Sequence, residues 1–404
     1  MDAWGRPLSR RSLLGATMAA VLGGGPLARA APSAPARLPS PGRSGLDYVV
    51  VVMMENRSFD HLLGWLPRAD GKQAGLTYTD AAGIQHATFP LAPDFQGCAH
   101  PDPDHSDAGG RTEWNNGAND GWLRAGSNDA YSIGYYRQQD LPFLGRAAPA
   151  FTACDRYFAP ILGPTFPNRF YSLSAATDRL TNLQLRIDLP TIFDRFLEKR
   201  IPTAYYHGNF NFLLLYQRYA AISHPHARFF EDCRTGKLAA FSYIDPNFTF
   251  HDSGPSSGNE GNDDHPHADI RAGEYFLSQI YNAVVRSPAW PRTLLVITFD
   301  EWGGFFDHVP PPAAANDVKP EYRQRGFRVP GLLVSPFARR GFVAHGVYDH
   351  TSILKLAEWR WGLKPLSVRD AEANNLATAL DFSRRRISAP AIAVPALRVG
   401  APCS

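Results

Sequence analysis

Cysteine is scarce, and its placement rules out one class of scaffold. Cys98, Cys154, Cys233 and Cys403 are the only four in 404 residues. None is arranged as a metal-binding pair, so a zinc-stapled fold is not expected. Three full disulfide pairings are open to them, and the sequence does not choose. Long apolar runs are missing too. Beyond the first 30 residues no stretch approaches the ~20 apolar residues of a membrane span. Excess charge is absent where it would count. The formal +3 is carried entirely by Arg6, Arg10, Arg11 and Arg29 against Asp2. The rest of the chain is near neutral and has no basic footprint for nucleic acid. There are no internal repeats and no heptads.

What is present begins with a leader. Ser9-Arg10-Arg11-Ser12-Leu13-Leu14, an Ala/Gly/Leu-rich apolar stretch and Ala28-Arg29-Ala30 read as a twin-arginine export signal over residues 1–30. Gly15, Gly23, Gly24, Gly25 and Pro26 disfavour the alternative, an uncleaved membrane anchor. A periplasmic or secreted protein is expected, exported already folded and so able to load a metal first. Residues 31–45 are a Pro/Ser/Ala-rich linker, 46–384 a single large domain, and 385–404 a tail.

The domain is organised around Tyr48-Val49-Val50-Val51-Val52-Met53-Met54. Seven apolar residues without alternation predict a strand buried on both faces, as in a covered parallel sheet. It stops at Glu55-Asn56, and a helix capped by Ser58 is expected to follow. Residues 64–150 are rich in Gly, Asp, Asn and Pro and are expected to form an irregular lid or site insertion. Further on, Thr165 falls in a turn before a helix beginning near Phe166. Phe241 to Ile244 reads as a strand and Ile270 to Arg286 as an amphipathic helix. Thr293 to Phe299 is a second buried strand and Val329 to Val334 a third. A last helix, capped by Thr351, stops at Gly362.

Two buried strands therefore end on acidic or amide pairs, Glu55-Asn56 and Asp300-Glu301. Oxygen ligands converging from strand ends are what a hard divalent cation requires, and open α/β sheets place ligands at that edge. His105, His265, Asp307-His308 and Asp349-His350 add polar and titratable groups in loop-like stretches.

Six blocks occur in order: Glu55-Asn56-Arg57-Ser58-Phe59-Asp60-His61; Asp104-His105-Ser106; Gly163-Pro164-Thr165-Phe166-Pro167-Asn168-Arg169; His265-Pro266 with Asp269; Phe299-Asp300-Glu301-Trp302-Gly303-Gly304-Phe305-Phe306-Asp307-His308-Val309-Pro310; and Tyr348-Asp349-His350-Thr351-Ser352. Together they resemble the bacterial phosphoesterase family of phosphatidylcholine-hydrolysing phospholipases C, plant non-specific phospholipases C and related acid phosphatases. The resemblance runs from about Asp47 to Phe382. It implies an α/β fold like that of alkaline phosphatases and sulfatases, a mostly parallel sheet with helices on both faces. It also implies that Glu55, Asn56, Asp300 and Glu301 surround a divalent metal ion, that Thr165 is the nucleophile, and that His105 and His265 line the site. Asp269, Asp307, His308, Asp349 and His350 would support it from behind. Trp302 departs from many relatives, which carry a polar residue there, and so bears on headgroup contacts.

The residues agree with such chemistry. A threonine hydroxyl needs a metal or base to become a nucleophile. A helix start offers N–H groups to phosphate oxygens, and Arg57 or Arg169 could neutralise them, unless Arg169 only pairs with a structural carboxylate. Trp114 and Trp122 could line the mouth and hold a quaternary ammonium. The expected function is phospholipase C-type hydrolysis of a phosphodiester through a phosphothreonine. A phosphatase acting on small monoesters is the alternative within enzymes, and an inactive exported binding protein the alternative outside them. Expected partners are a phospholipid or small phosphate ester, with transient contact at a membrane surface.

Overall fold

The computed structural model describes residues 38–249, 261–398, 400 and 403, so the export signal and residues 31–37 of the linker lie outside the described residues. All described residues belong to one unit, Pro35–Ser404. The apolar run forms β1 (Tyr48–Met54) at the centre of an eight-stranded sheet. The other strands are β2 (Thr152–Cys154), β3 (Thr203–His207), β4 (Ser223–Pro225), β5 (Phe241–Ile244), β6 (Thr293–Phe299), β7 (Gly331–Val334) and β8 (Phe342–Ala344). Their order is β8-β2-β7-β6-β1-β5-β3-β4. Every neighbouring pair is parallel except those made by β7, which runs against β6 and β2. The sheet is thus mostly parallel, as expected, and the third predicted strand is the one that runs backwards.

Residues Val49 to Met54 and all of β6 are buried, so both faces of the sheet are covered at its centre. The two strands pair in register from Tyr48↔Thr293 to Met54↔Phe299, which brings their ends level. Five helices matter for the site: α1 (Phe59–Leu63), α2 (Asp107–Trp114), α3 (Thr165–Ser174), α4 (Ile270–Arg286) and α5 (His350–Trp361). Ser58 caps α1 as its sequence predicts, accepting from the His61 amide. Two boundaries differ from expectation. Thr165 is the first residue of α3 rather than part of the preceding turn. Asp349, not Thr351, caps α5; its carboxylate accepts the Thr351 amide and Ser352 closes the capping box.

Region 64–150 is mainly irregular, but it builds its own small core. Trp122, Tyr78, Ile133, Tyr135, Leu162, Trp302, Phe306 and Phe327 pack together there. The tail is tied down: Tyr281 and Trp290 donate to the carbonyls of Pro390 and Ile387 at 2.7 and 2.6 Å. Cys98 bonds to Cys403, while Cys154 and Cys233 are buried free thiols. Among the described residues no helix is long and apolar enough to cross a membrane.

Candidate active site

The level ends of β1 and β6 are sewn together by the groups that follow them. The Asp300 amide donates to the Met54 carbonyl at 3.0 Å, and the Asn56 amide to the Asp300 carboxylate at 3.1 Å. The Arg57 amide donates to the Glu301 carbonyl at 3.1 Å. This close crossing demands unusual backbone. Asn56 sits at φ +57°, a left-handed conformation uncommon outside glycine. Opposite it, Gly303 is at φ +66°, and a Cβ there would lie 2.2 Å from the Asn56 carbonyl oxygen. The four residues assigned to a metal are therefore brought together at the carboxyl edge of the sheet.

Their electrostatics fit a cation. Glu55, Asp300 and Glu301 are buried, and among the described residues only the Arg169 guanidinium pairs with them, 2.7 Å from Glu55 and 3.4 Å from Asp300. Burial, then the neighbouring Asp300 carboxylate, push Glu55 and Glu301 well above the usual carboxylate range, and burial raises Asp300. Asn56 Oδ1, Asp300 Oδ2 and Glu301 Oε1 are buried and accept no hydrogen bond among the described residues. Buried acceptors with no donor are rare, and three oxygens of hard-ligand type suit a divalent cation.

Thr165 joins this set directly. Its hydroxyl lies 3.2 Å from Glu55 Oε2, and the residue is buried at the start of α3. The N–H cradle expected there is reduced, because Phe166 donates its amide to Asn182 and residue 167 is proline. Neither arginine is placed as a phosphate clamp. Arg169 binds Glu55, Asp245 and the carbonyls of Met53 and Met54, so it pairs with structural carboxylates. Arg57 is buried over the Phe305 ring and donates to the Asp264 carbonyl. The sequence ends the Phe241–Ile244 strand on Asp245, which is given no site role there although it carries the same signal as Asp300, an acid closing a buried strand.

His105 and His265 stand beside the strand ends, their rings 5.6 Å apart. Each has Nδ1 against a backbone carbonyl, Pro103 at 2.7 Å and Pro266 at 2.5 Å. That fixes a proton on Nδ1, and His105 Nε2 faces the Asn56 side-chain amide nitrogen, Nδ2, at 3.3 Å. Asp102, unremarked in the sequence, completes a group whose ligand atoms lie within 4.8 Å of one another. A cleft of about 340 Å³ opens here, lined by Asp102, Asp104, His105, Ser106, Ser127 and Pro164. Among the described residues no Phe, Tyr or Trp lines it. Trp122, expected at the mouth, is wholly buried in the small core and bonded to the Asn119 carbonyl. Trp114 is half-buried against the same core. The irregular region supplies polar walls, because its large rings are consumed in packing that region onto the sheet.

The remaining predicted residues support the fold away from the cleft. Asp269 caps α4 and pairs with Arg271 at 2.5 Å. Asp307 and His308 belong to a buried network with Asp60 and Arg328, where Arg328 reaches Asp307 at 2.8 Å and Asp60 at 3.1 Å. The guanidinium bridges the two carboxylates. Asp349 pairs with Arg325 and Arg369. His350 is the closest to the site. Its Nε2 lies 2.7 Å from the Asp300 carbonyl oxygen, and burial lowers its pKa to about 4, which keeps it a neutral imidazole holding that backbone.

Trp302 does not reach the cleft. It is fully buried, and its indole donates to Glu113 on α2 at 2.7 Å. Glu113 also accepts from Asn128, whose carbonyl oxygen takes the Asp104 amide at 2.6 Å. The tryptophan thus links the Glu301 loop to the chain before His105. We expect Trp302→Phe to destabilise the fold by about 1–3 kcal/mol, since it leaves a buried carboxylate oxygen without its donor. Urea denaturation measures this, and the Michaelis constant for an aryl phosphate should stay within about twofold, since the ring makes no ligand contact.

Comparison with known proteins shows which family the chain belongs to. Phospholipase C B of Mycobacterium tuberculosis is 28% identical over 426 residues, covering 85% of this chain and 80% of that protein. Non-specific phospholipase C6 of Arabidopsis thaliana is 31% identical over 356 residues, covering 77% and 67%. Among solved structures, the lipoteichoic acid synthase LtaP of Listeria monocytogenes superposes with a TM-score of 0.44 at 9% identity, covering 82% of this chain and 77% of that one. Residues 46–364 match the sequence profile of the Phosphoesterase family. The chain belongs to the phosphoesterase family, a hydrolase acting on phosphoric ester bonds.

Proposed function

We propose that this chain is an exported, cation-dependent phosphodiesterase of phospholipase C type that works through a phosphothreonine. The observation that carries the reading is the Thr165 hydroxyl 3.2 Å from Glu55, inside a ring of buried carboxylates with unsatisfied oxygens. A divalent cation held by Glu55, Asn56, Asp300 and Glu301 would acidify the Thr165 hydroxyl and draw charge from the phosphate. Thr165 Oγ1 would pass its proton to Nε2 of His105 or His265 and bond to phosphorus as the ester oxygen leaves, and that imidazole would return the proton to the departing alcohol. Water would then give a proton to the same imidazole and attack phosphorus, breaking the Oγ1–phosphorus bond as Oγ1 takes the proton back. The acidic cleft walls favour a singly charged diester over a dianionic monoester. Two relatives are phospholipases C by name, which supports a phospholipid substrate. The twin-arginine leader supports export.

A phosphatase reading has one observation in its favour: the cleft is small and polar and offers no aromatic face to a quaternary ammonium. One experiment separates the two. Purified protein is given phosphatidylcholine or an aryl phosphate, with and without a chelator. We expect phosphocholine from the lipid, at least a tenfold loss on chelation, and recovery with a divalent ion. Metal removal should also lower the melting temperature, because an ion at 100-fold its dissociation constant stabilises by about 2.7 kcal/mol. Inorganic phosphate from the aryl ester alone would establish the phosphatase reading instead, and full activity with an unchanged melting temperature after chelation would remove the cation.

A further inference from the structure

The loop between α3 and the next helix carries a feature the chemistry above does not use. Residues 181–186, Thr-Asn-Leu-Gln-Leu-Arg, are all exposed, with Leu183 at 72% and Leu185 at 68% of their full surface. Single exposed leucines are common and need no explanation. Two on one tip, both projecting, are a different matter. The loop is also built rather than slack. Arg179 donates to the carbonyls of Leu183, Gln184 and Arg186, and its guanidinium lies 5.4 Å over the Phe170 ring of α3. Gathering three carbonyls inward leaves the leucines facing out.

Its position connects it to the site. Asn182, one residue before Leu183, accepts the amide of Phe166, the residue after Thr165. Pro164, the residue before Thr165, lines the cleft. The loop is therefore joined through Asn182 to the segment that carries Thr165 and one wall of the cleft. Charge points the same way: Arg186 beside Leu185 is exposed and makes no ion pair among the described residues, so it can meet a lipid phosphate.

We propose that Leu183, Leu185 and Arg186 form a docking tip for the surface of a zwitterionic phospholipid bilayer. The leucines enter the headgroup region, Arg186 meets phosphates, and the cleft is held over the interface. This rests on the phosphodiesterase reading for its substrate but is measured apart from it. The test uses vesicles of phosphatidylcholine, with Leu183→Ser/Leu185→Ser and Arg186→Gln variants of the metal-loaded protein. Co-sedimentation reports binding, and hydrolysis is followed on the vesicles and on a soluble aryl phosphate. We expect the double leucine variant to bind vesicles about tenfold more weakly, in keeping with the apolar area removed from the interface. Its rate on vesicles should fall in step, while its rate on the soluble ester and its melting temperature stay as in the parent. Arg186→Gln should weaken vesicle binding by a smaller factor. Unchanged vesicle binding by the leucine variant overturns the proposal. So does a parent protein that self-associates through this tip, seen as a dimer that the variant dissolves. A parent that binds vesicles but hydrolyses no phosphate ester would defeat the enzymatic reading and leave the docking tip standing.

Discussion

Thr165→Ala should abolish turnover, by a factor of at least ~10³, while the protein folds normally and still binds its cation. The expectation rests on position. Among the described residues the hydroxyl is the one side-chain nucleophile bonded to the buried carboxylate set, at 3.2 Å from Glu55. It begins α3, where the helix dipole favours the charge that develops on phosphate. Loss of the hydroxyl removes little packing but leaves the buried Glu55 Oε2 without its donor, so stability should fall by about 1–3 kcal/mol with the fold intact. Thr165→Ser keeps the oxygen and should retain part of the rate. Acid quench of the parent during turnover should trap phosphate on residue 165 and on no other. A Thr165→Ala protein that turns over within tenfold of the parent would show that water attacks directly.

Asp349→Ala should cost about 3–5 kcal/mol of stability, the range for breaking one partner out of a buried ion-pair network. The carboxylate is buried, accepts from Arg325 at 2.7 Å and Arg369 at 3.1 Å, and caps α5. Arg369 keeps Asp317 at 2.7 Å after the change, which places the loss toward the lower end. Burial alone would raise the Asp349 carboxyl. Arg325, Arg369 and the Thr351 hydroxyl outweigh it and hold the group well below the usual carboxylate range. The sign follows. A depressed folded-state pKa contributes stability that is fully present above the unfolded value of ~3.9 and is lost as pH falls toward the folded one. Urea denaturation of the parent and of Asp349→Asn should thus differ most at pH 7, and the gap should narrow at pH 3. A gap that is flat across that range would mean the cap, not the charge, dominates.

The placement of the predicted site residues shows what kind of signal a sequence carries. Glu55-Asn56 and Asp300-Glu301 were legible because each closes an uninterrupted apolar run, and a buried strand can end in only a few ways. Ser58 was legible as a cap for the same local reason. Arg169 and Arg57 were not, because a guanidinium reads identically whether it meets a ligand or a buried carboxylate. Only the partners decide, and those lie 76 to 207 residues away. Trp122 was misplaced on similar grounds, since an aromatic in a polar stretch gives no sign of which side it faces.

By itself the sequence determined the strand at Tyr48–Met54, its partner at Thr293–Phe299, and the polar pairs, Glu55-Asn56 and Asp300-Glu301, that follow each. These are local consequences of apolar runs and their abrupt ends, and the ordered motifs carried the family with them. Tertiary structure alone decided that β7 runs antiparallel, that Cys98 pairs with Cys403, and that the aromatics of region 64–150 form a core instead of a site wall. It alone brought Asp102 to the two histidines and left Leu183 and Leu185 exposed on the loop that Asn182 ties to Phe166. Pairing direction, disulfide choice and side-chain facing all depend on contacts between distant segments, and a local pattern carries no record of them.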